Sequence, residues 1–444
     1  MSKYVENGGV VMLRVPNALL WAILRPLLRL ILRFRLNFRA ARVRMKGPFV
    51  LLCSHASWYD PLLAAVCVNK PIAFCGADPA PRSGFLLRLA RSLRQDDALD
   101  WRAALKEAGQ CGQNLGFFPE GERCMDGVTG PIPGELAAQI QKSGLGLAVL
   151  RLEGAYLTAP RWADAIPRRG RLRARVVRTL EPAVLRSMET DELQELLEQD
   201  LHEDAFATAR RHPAPYRGER TAERLEKLLC ICPKCGDIGT MESRENEFAC
   251  RACGFTTVYM LSGRFRGGRV PFETPLEWAR WQDGRIRLRC EEAGEAPIFE
   301  DGGYEIYDLR GAERIGTGEL RLFRDRLELP TGITIPRKEL RSLRLIGGSG
   351  LRVESRRGGV FELRTIRPTC AEKYRRALAI LAELPEPVPE PEEIPEPEET
   401  EAAEVTENTE ETDNIEQTEA PAEPDADDPE IPDDKEAEDE QDRI

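Results

Sequence analysis

SHASWYDP, from Ser54 to Pro61, and FPEGER, from Phe118 to Arg123, decide how this 444-residue chain is read. The run FVLLCSH from Phe49 is apolar and short, which predicts a buried strand ending at His55. Asp60-Pro61 then opens a helix over PLLAAVCV, because Asp is a favoured N-cap and Pro a favoured first helical residue. On one continuous helix His55 and Asp60 would stand about 140° apart and never meet. A strand-to-helix turn removes that obstacle and lets a carboxylate reach the ring. Phe118 follows His55 by 63 positions, and its string sets an acid and a base on a turn at Gly121. Such a turn suits the binding of an anion.

Neither string is specific alone, but their order and separation resemble the lysophospholipid acyltransferase family, which turns lysophosphatidic acid into phosphatidic acid. Further blocks of that pattern fall at Gly84 to Arg94 and at LRLEGAY, Leu150 to Tyr156, so the likeness spans roughly residues 15 to 210. Two departures stand out. Ser54 occupies the place where Asn commonly precedes the histidine, and the usual Pro is missing at Ala148-Val149-Leu150.

The resemblance implies an α/β domain with a mixed central sheet flanked by helices. It also implies direct attack of an acceptor hydroxyl on acyl-CoA or acyl carrier protein, without a protein nucleophile. Transfer from a thioester to an alcohol needs a base as the bond forms, and imidazole is the usual choice near neutral pH. His55 is the expected base, with Asp60 holding the ring and stabilising the imidazolium. Glu120, Gly121 and Arg123 match the acceptor-binding motif. Arg123 and Arg94 would clamp the acceptor phosphate, since a guanidinium grips phosphate in a bidentate, charge-assisted way. Glu120 would organise the site. The expected product is phosphatidic acid from 1-acylglycerol 3-phosphate. The alternatives are another lysophospholipid acceptor, or a membrane adaptor built on an inactive copy of the fold.

Charge is divided along the chain. Residues 385–444 carry 27 Asp and Glu against Lys435 and Arg443, so the whole-chain charge of −12 leaves the remainder at +13. A basic body suits an anionic membrane surface or anionic substrates. The tail alternates Pro and Glu and has too few apolar residues to bury a core, which predicts disorder.

From Val10 to Phe34 the sequence is rich in Leu, Ile and Val, yet charges interrupt it before about 18 apolar residues accumulate. The expectation over residues 1–45 is an interfacial amphipathic helix, kinked or restarted at Pro26. Arg14, Arg25, Arg29 and Arg33 would face phosphates, with Leu20, Ile23, Leu27, Leu30 and Ile31 in acyl chains. The run has no small-residue cleavage site and reads as no signal peptide, placing the chain on the cytoplasmic face of a membrane. An acyltransferase domain is expected over 46–215. It would close with one acid-rich helix from Thr190 to Arg211, with His202 and His212 solvated.

Cys232-Pro-Lys-Cys235 and Cys250-Arg-Ala-Cys253 have the paired spacing of a zinc ribbon over residues 225–262. Four thiolates leave no position for water, so Zn2+ would be structural; Cys230 lies outside the pairing. Few basic and aromatic residues interleave there, which argues against nucleic acid and for a spacer or protein-docking module. Residues 263–384 read as short strands, with turns at Gly347-Gly348 and Gly358-Gly359 and a final helix bearing Tyr374, Leu378 and Leu381. That pattern looks like a pleckstrin-homology or GRAM-type barrel.

Overall fold

The computed structural model describes residues 17–76, 84–93, 100–163, 167–311, 313–365 and 369–384, leaving out the side chain of Arg91. Arg94, Arg14 and the acidic tail lie outside the described residues.

The first region is built on a six-stranded mixed sheet. Its strands are β1 (Phe38–Arg39), β2 (Phe49–Cys53), β3 (Ala73–Cys75), β4 (Leu115–Phe117), β5 (Gly146–Glu153) and β6 (Leu172–Leu180), in the order β1-β6-β5-β2-β4-β3. All neighbours are parallel except β5 and β6. Central strands of such a sheet are apolar on both faces because helices cover both. Phe49, Leu51 and Cys53 of β2, with Ala148, Leu150 and Leu152 of β5, point to one layer. Val50, Leu52, Leu147 and Val149 point to the other.

On the first face lie α1 (Ala18–Leu36), α2 (Asp60–Ala65) and α3 (Phe85–Ser92). The second is covered by α4 (Trp101–Cys111) and α5 (Leu136–Ser143). After α6 (Ala155–Thr158), α7 (Pro182–Ser187) and α8 (Thr190–Leu201) join that second face, and α9 (Ala205–Arg211) follows.

Two expectations about helices are corrected. Of the two alternatives at Pro26, a kink or a restart, the restart is excluded, because α1 continues across it. Pro26 and Ala22, whose carbonyl loses its intrahelical donor to the proline, are both exposed, so water can satisfy that group. The segment from Thr190 to Arg211 is two helices rather than one. Thr129 bonds the Leu201 carbonyl and the Glu203 amide across the break, and Asp204 caps α9 through the amides of Phe206 and Ala207.

α1 buries Trp21, Leu28, Leu32 and Leu36 against the sheet domain. Its arginines do not all turn outward: Arg25 donates to the Val66 carbonyl, and Arg29 to those of Ala40 and Ala41. Leu19, Leu20, Ile23, Leu27, Leu30 and Phe34 form a band 51% to 74% exposed. Among the described residues no helix is long and apolar enough to cross a membrane.

The cysteine-rich segment adds a four-stranded antiparallel sheet, β7 (Met241–Arg244), β8 (Glu247–Cys250), β9 (Thr256–Tyr259) and β10 (Phe265–Arg266), in the order β10-β9-β8-β7. Then comes α10 (Pro275–Glu292), a helix absent from the sequence reading. The signal was present in Thr274-Pro275 with Glu277: Thr274 accepts the Glu277 amide at 3.3 Å as an N-cap, with Pro in the first turn. Its buried stripe includes Gln282 and Cys290 among arginines, which hides the helical period.

Seven antiparallel strands follow: β11 (Phe299–Asp308), β12 (Glu313–Leu322), β13 (Arg326–Glu328), β14 (Thr334–Pro336), β15 (Leu340–Ile346), β16 (Gly350–Ser355) and β17 (Val360–Thr365). Their order is β14-β13-β12-β11-β17-β16-β15, and α11 (Glu372–Glu383) packs Tyr374, Ala377 and Leu381 inward.

These regions are not strung on linkers. One buried cluster runs from Tyr156, Trp162 and Phe206 through Phe248, Tyr259 and Trp278 to Tyr304, Leu363 and Tyr374.

Candidate active site and metal centre

β2 ends at Cys53, and the chain turns through Ser54 to Tyr59 before α2 begins. His55 is 1% exposed and Asp60 fully buried, with His55 Nδ1 3.0 Å from Asp60 Oδ2. The same oxygen accepts the amides of Ala56 at 2.6 Å and Ser57 at 2.7 Å, while Oδ1 accepts the Ser57 hydroxyl at 2.5 Å. Asp60 therefore does not cap α2 as expected. It is the first residue of the helix, and its carboxylate turns back to close the loop carrying the histidine. Three backbone and side-chain donors besides the ring hold that carboxylate in place. With the ring proton held on Nδ1 toward Asp60, the lone pair lies on Nε2.

The second string is stitched to the first. Glu120 accepts the backbone amide of His55 at 2.7 Å on one oxygen and that of Gly130 at 2.9 Å on the other. The Cys124 amide returns to the His55 carbonyl at 2.9 Å. Gly121 has φ +71°, a left-handed conformation that costs glycine little; a Cβ there would meet no atom, so the demand is on the backbone and not on space. Burial pushes the Glu120 carboxyl up to about 8, against the pull of its two amide donors. The ring of Phe118 lies 4.4 Å from that of His55.

Arg123 is 1% exposed, its guanidinium 3.3 Å from the centre of the Trp58 ring. The structure thus brings His55, Asp60, Glu120 and Gly121 together and lays Arg123 over Trp58 at the edge of the same motif. A narrow cavity beside the histidine is lined by Ser54, Glu120, Cys124, Gly127, Tyr156 and Glu203, among others. Gly154, with φ +84°, closes the turn after β5; a Cβ there would come within 2.0 Å of the Arg171 carbonyl.

The loop is also held from distant parts of the chain. Arg161, 3% exposed, donates to the Arg123 carbonyl at 2.6 Å and to Glu122 at 2.8 Å, and also to the carbonyls of Leu345 and Gly347 at the β15 end. Arg376 of α11 pairs with Asp126, with Asp283 of α10 at 3.0 Å and with Glu372. Trp58 and Ser57 lie within the first string and were readable as neighbours. No local signal could reveal Arg376, which meets Asp126 across 250 positions.

Cys232, Cys235, Cys250 and Cys253 converge, with their sulfurs all within 4.8 Å of one another. Cys232 and Cys253 are 3.6 Å apart, Cys235 and Cys250 3.8 Å. Four sulfurs at about 2.3 Å from a tetrahedral ion lie about 3.8 Å from each other, so the donor set fits a metal ion. The Lys234 amide and the Thr240 hydroxyl lie near two of the sulfurs, as donors that stabilise thiolates do. Cys230 is buried away from this group. His202 and His212 are exposed.

No curated protein sequence matches this chain. Among solved structures, the crystal structure of the 1-acyl-sn-glycerophosphate (LPA) acyltransferase PlsC from Thermotoga maritima is similar to 44% of this chain and 87% of that one, at 15% identity and a TM-score of 0.33. The family model described as Acyltransferase matches residues 35–150, a span that contains His55, Asp60, Glu120, Gly121 and Arg123. The segment that carries both strings is therefore a domain of the acyltransferase family.

Proposed function

We propose that this domain is an O-acyltransferase that moves an acyl chain from a thioester, acyl-CoA or acyl carrier protein, to the free hydroxyl of 1-acylglycerol 3-phosphate. The observation that supports the reading best is the buried His55–Asp60 pair, tied through the His55 backbone to Glu120. His55 Nε2 takes the hydroxyl proton as the oxygen attacks the thioester carbonyl, and Asp60 holds the ring and balances the imidazolium. The proton then passes to the departing thiolate. General-base chemistry of this kind is worth about 10²- to 10⁴-fold. Arg123 serves the acceptor phosphate once its guanidinium leaves Trp58, and Arg94 is its proposed companion.

We further infer attachment to the cytoplasmic side of a membrane through the exposed band of α1, whose Leu, Ile and Phe side chains would be costly to leave in water. The cysteine cluster reads as a structural zinc site, since its four sulfurs leave no place for substrate. The antiparallel sheet capped by α11 has the element pattern of a pleckstrin-homology or GRAM-type module.

The test uses membranes with labelled acyl-CoA, acyl carrier protein and a panel of lysolipids. Phosphatidic acid should form from lysophosphatidic acid and disappear in His55→Ala. Full activity in that variant would remove the base assigned here.

A further inference from the structure

A second cationic feature lies apart from the acyltransfer strings. A cavity of about 600 Å³ is lined by Arg25, Pro26 and Arg29 of α1, by Arg42 and Arg44 of the irregular run that follows β1, and by Asn69. Val43 anchors that run, buried, its amide bonded to the Cys67 carbonyl at 3.0 Å. Arg42 and Arg44, on either side of the buried Val43, are both exposed, and both line the cavity.

None of the lining residues is acidic. Elsewhere several buried or half-buried arginines pair with carboxylates, as at Arg161 with Glu122, Arg171 with Glu153 and Arg178 with Asp200. Among the described residues no carboxylate pairs with Arg25, Arg29, Arg42 or Arg44. Arg25 and Arg29 are only partly satisfied by carbonyls, because one guanidinium has five N–H donors and the carbonyl bonds use only Nε of Arg25 and one terminal nitrogen of Arg29. Burial first, then the charges of Arg29 and Arg42, hold Arg25 below its ordinary pKa, as expected of cations that face one another.

Four guanidiniums around one concavity, without a counter-charge, form a receptor for an anion carrying several acceptor oxygens. We propose that this cavity is a binding site for a phosphate ester, distinct from the pocket at His55. Two sources offer that chemistry. One is the headgroup of an anionic phospholipid: Pro26 also lines the cavity and is exposed, and it lies on the side of α1 that leads to the apolar band. With the band in acyl chains, the flank of the helix sits at the level of lipid phosphates. The other is a soluble phosphate, such as those of coenzyme A.

The test uses the full chain and reads binding, so it stands or fails apart from the chemistry at His55. Arg42→Gln/Arg44→Gln is the informative variant, since both side chains are exposed and, among the described residues, neither makes a hydrogen bond or ion pair that holds the fold. Arg341→Gln/Arg356→Gln, also exposed, removes the same charge from the seven-stranded region and serves as the control. Binding is measured to phosphatidylcholine vesicles with and without phosphatidic acid, and by titration with coenzyme A and inorganic phosphate at low salt.

Removing two cations from an anionic surface lowers affinity by roughly 30-fold. Such a loss on phosphatidic acid vesicles, confined to Arg42→Gln/Arg44→Gln, supports the site with a lipid source. The same loss in the coenzyme A or phosphate titration supports it with a soluble source. Less than a twofold change in every arm, or an equal loss in the control variant, overturns the proposal.

Discussion

Replacing Asp60 by Asn separates the electrostatic part of this site from its scaffold. The carboxylate accepts three donors on Oδ2, from His55, Ala56 and Ser57, and one on Oδ1, from the Ser57 hydroxyl. An asparagine with its carbonyl oxygen at the first position keeps all three donors satisfied, and its amide then faces a hydroxyl that can rotate to accept. Only the charge is lost. Exchanging charge-assisted for neutral bonds costs about 1 kcal/mol apiece, and relief of the buried charge offsets part of this. The net change in stability is expected within about 2 kcal/mol.

Alanine is the poor choice, because it takes the acceptor from all four donors at about 1 to 3 kcal/mol each, a sum comparable with the whole stability of a domain. For catalysis, the imidazolium formed at His55 loses its counter-charge. The expected fall in kcat is 10²- to 10⁴-fold, equal to about 3 to 5 kcal/mol of barrier. Thermal unfolding and steady-state turnover of Asp60→Asn are measured on one preparation. A stable variant with kcat within threefold of the parent would refute the role of Asp60 in charge balance. An unfolded one would refute the accounting of its hydrogen bonds.

Glu120, raised to about 8, binds its proton more tightly in the folded state than in the unfolded one. Its contribution is full below the ordinary carboxylate range and is lost as pH rises through about 8, by up to about 1.4 kcal/mol per pH unit. Unfolding titrations from pH 5 to 9 should show that slope in the parent and a flatter one in Glu120→Gln; parallel slopes would contradict it. Stripping metal with a chelator in reductant should release one zinc per chain and lower the unfolding temperature, because metal binding of about 10 kcal/mol supports the fold around the four cysteines. An unchanged unfolding temperature, or no zinc released, would refute the reading of Cys232, Cys235, Cys250 and Cys253. Arg376→Gln leaves Asp126, Asp283 and Glu372 without their shared cation and should cost about 3 kcal/mol. A double-mutant cycle with Asp126→Asn should recover part of that loss, whereas strict additivity would mean the two side chains are not coupled.

Much of the first region was legible because its signals are local. The apolar run at Phe49, the Asp-Pro start of α2 and the Gly121 turn each follow from a few adjacent residues, and the paired cysteines follow from spacing. The places where sequence reasoning fell short depend on neighbours far along the chain. α1 passes through Pro26 because solvent reaches the freed carbonyl. The helix from Thr190 breaks where Thr129 bonds across the gap. α10 was missed because its inward side carries Gln282, which bonds the amides of Cys230 and Ile231 and the Leu228 carbonyl, so the buried stripe is partly polar. The placement of Arg123 over Trp58 depends on side-chain conformations that no spacing rule reports.

The uninterrupted apolar cluster from Tyr156 to Tyr374 makes the second half of the chain hard to treat as a detachable cassette. A stop codon ahead of α11 would strip away Tyr374 and Arg376 together, uncovering Tyr304 and Phe299 and releasing Asp126, two residues past Cys124, whose amide bonds the His55 carbonyl. Damage at the far end of the polypeptide would thus be felt where the thioester is attacked, and a minimal fragment cut at residue 215 would begin life with an open wound in its side.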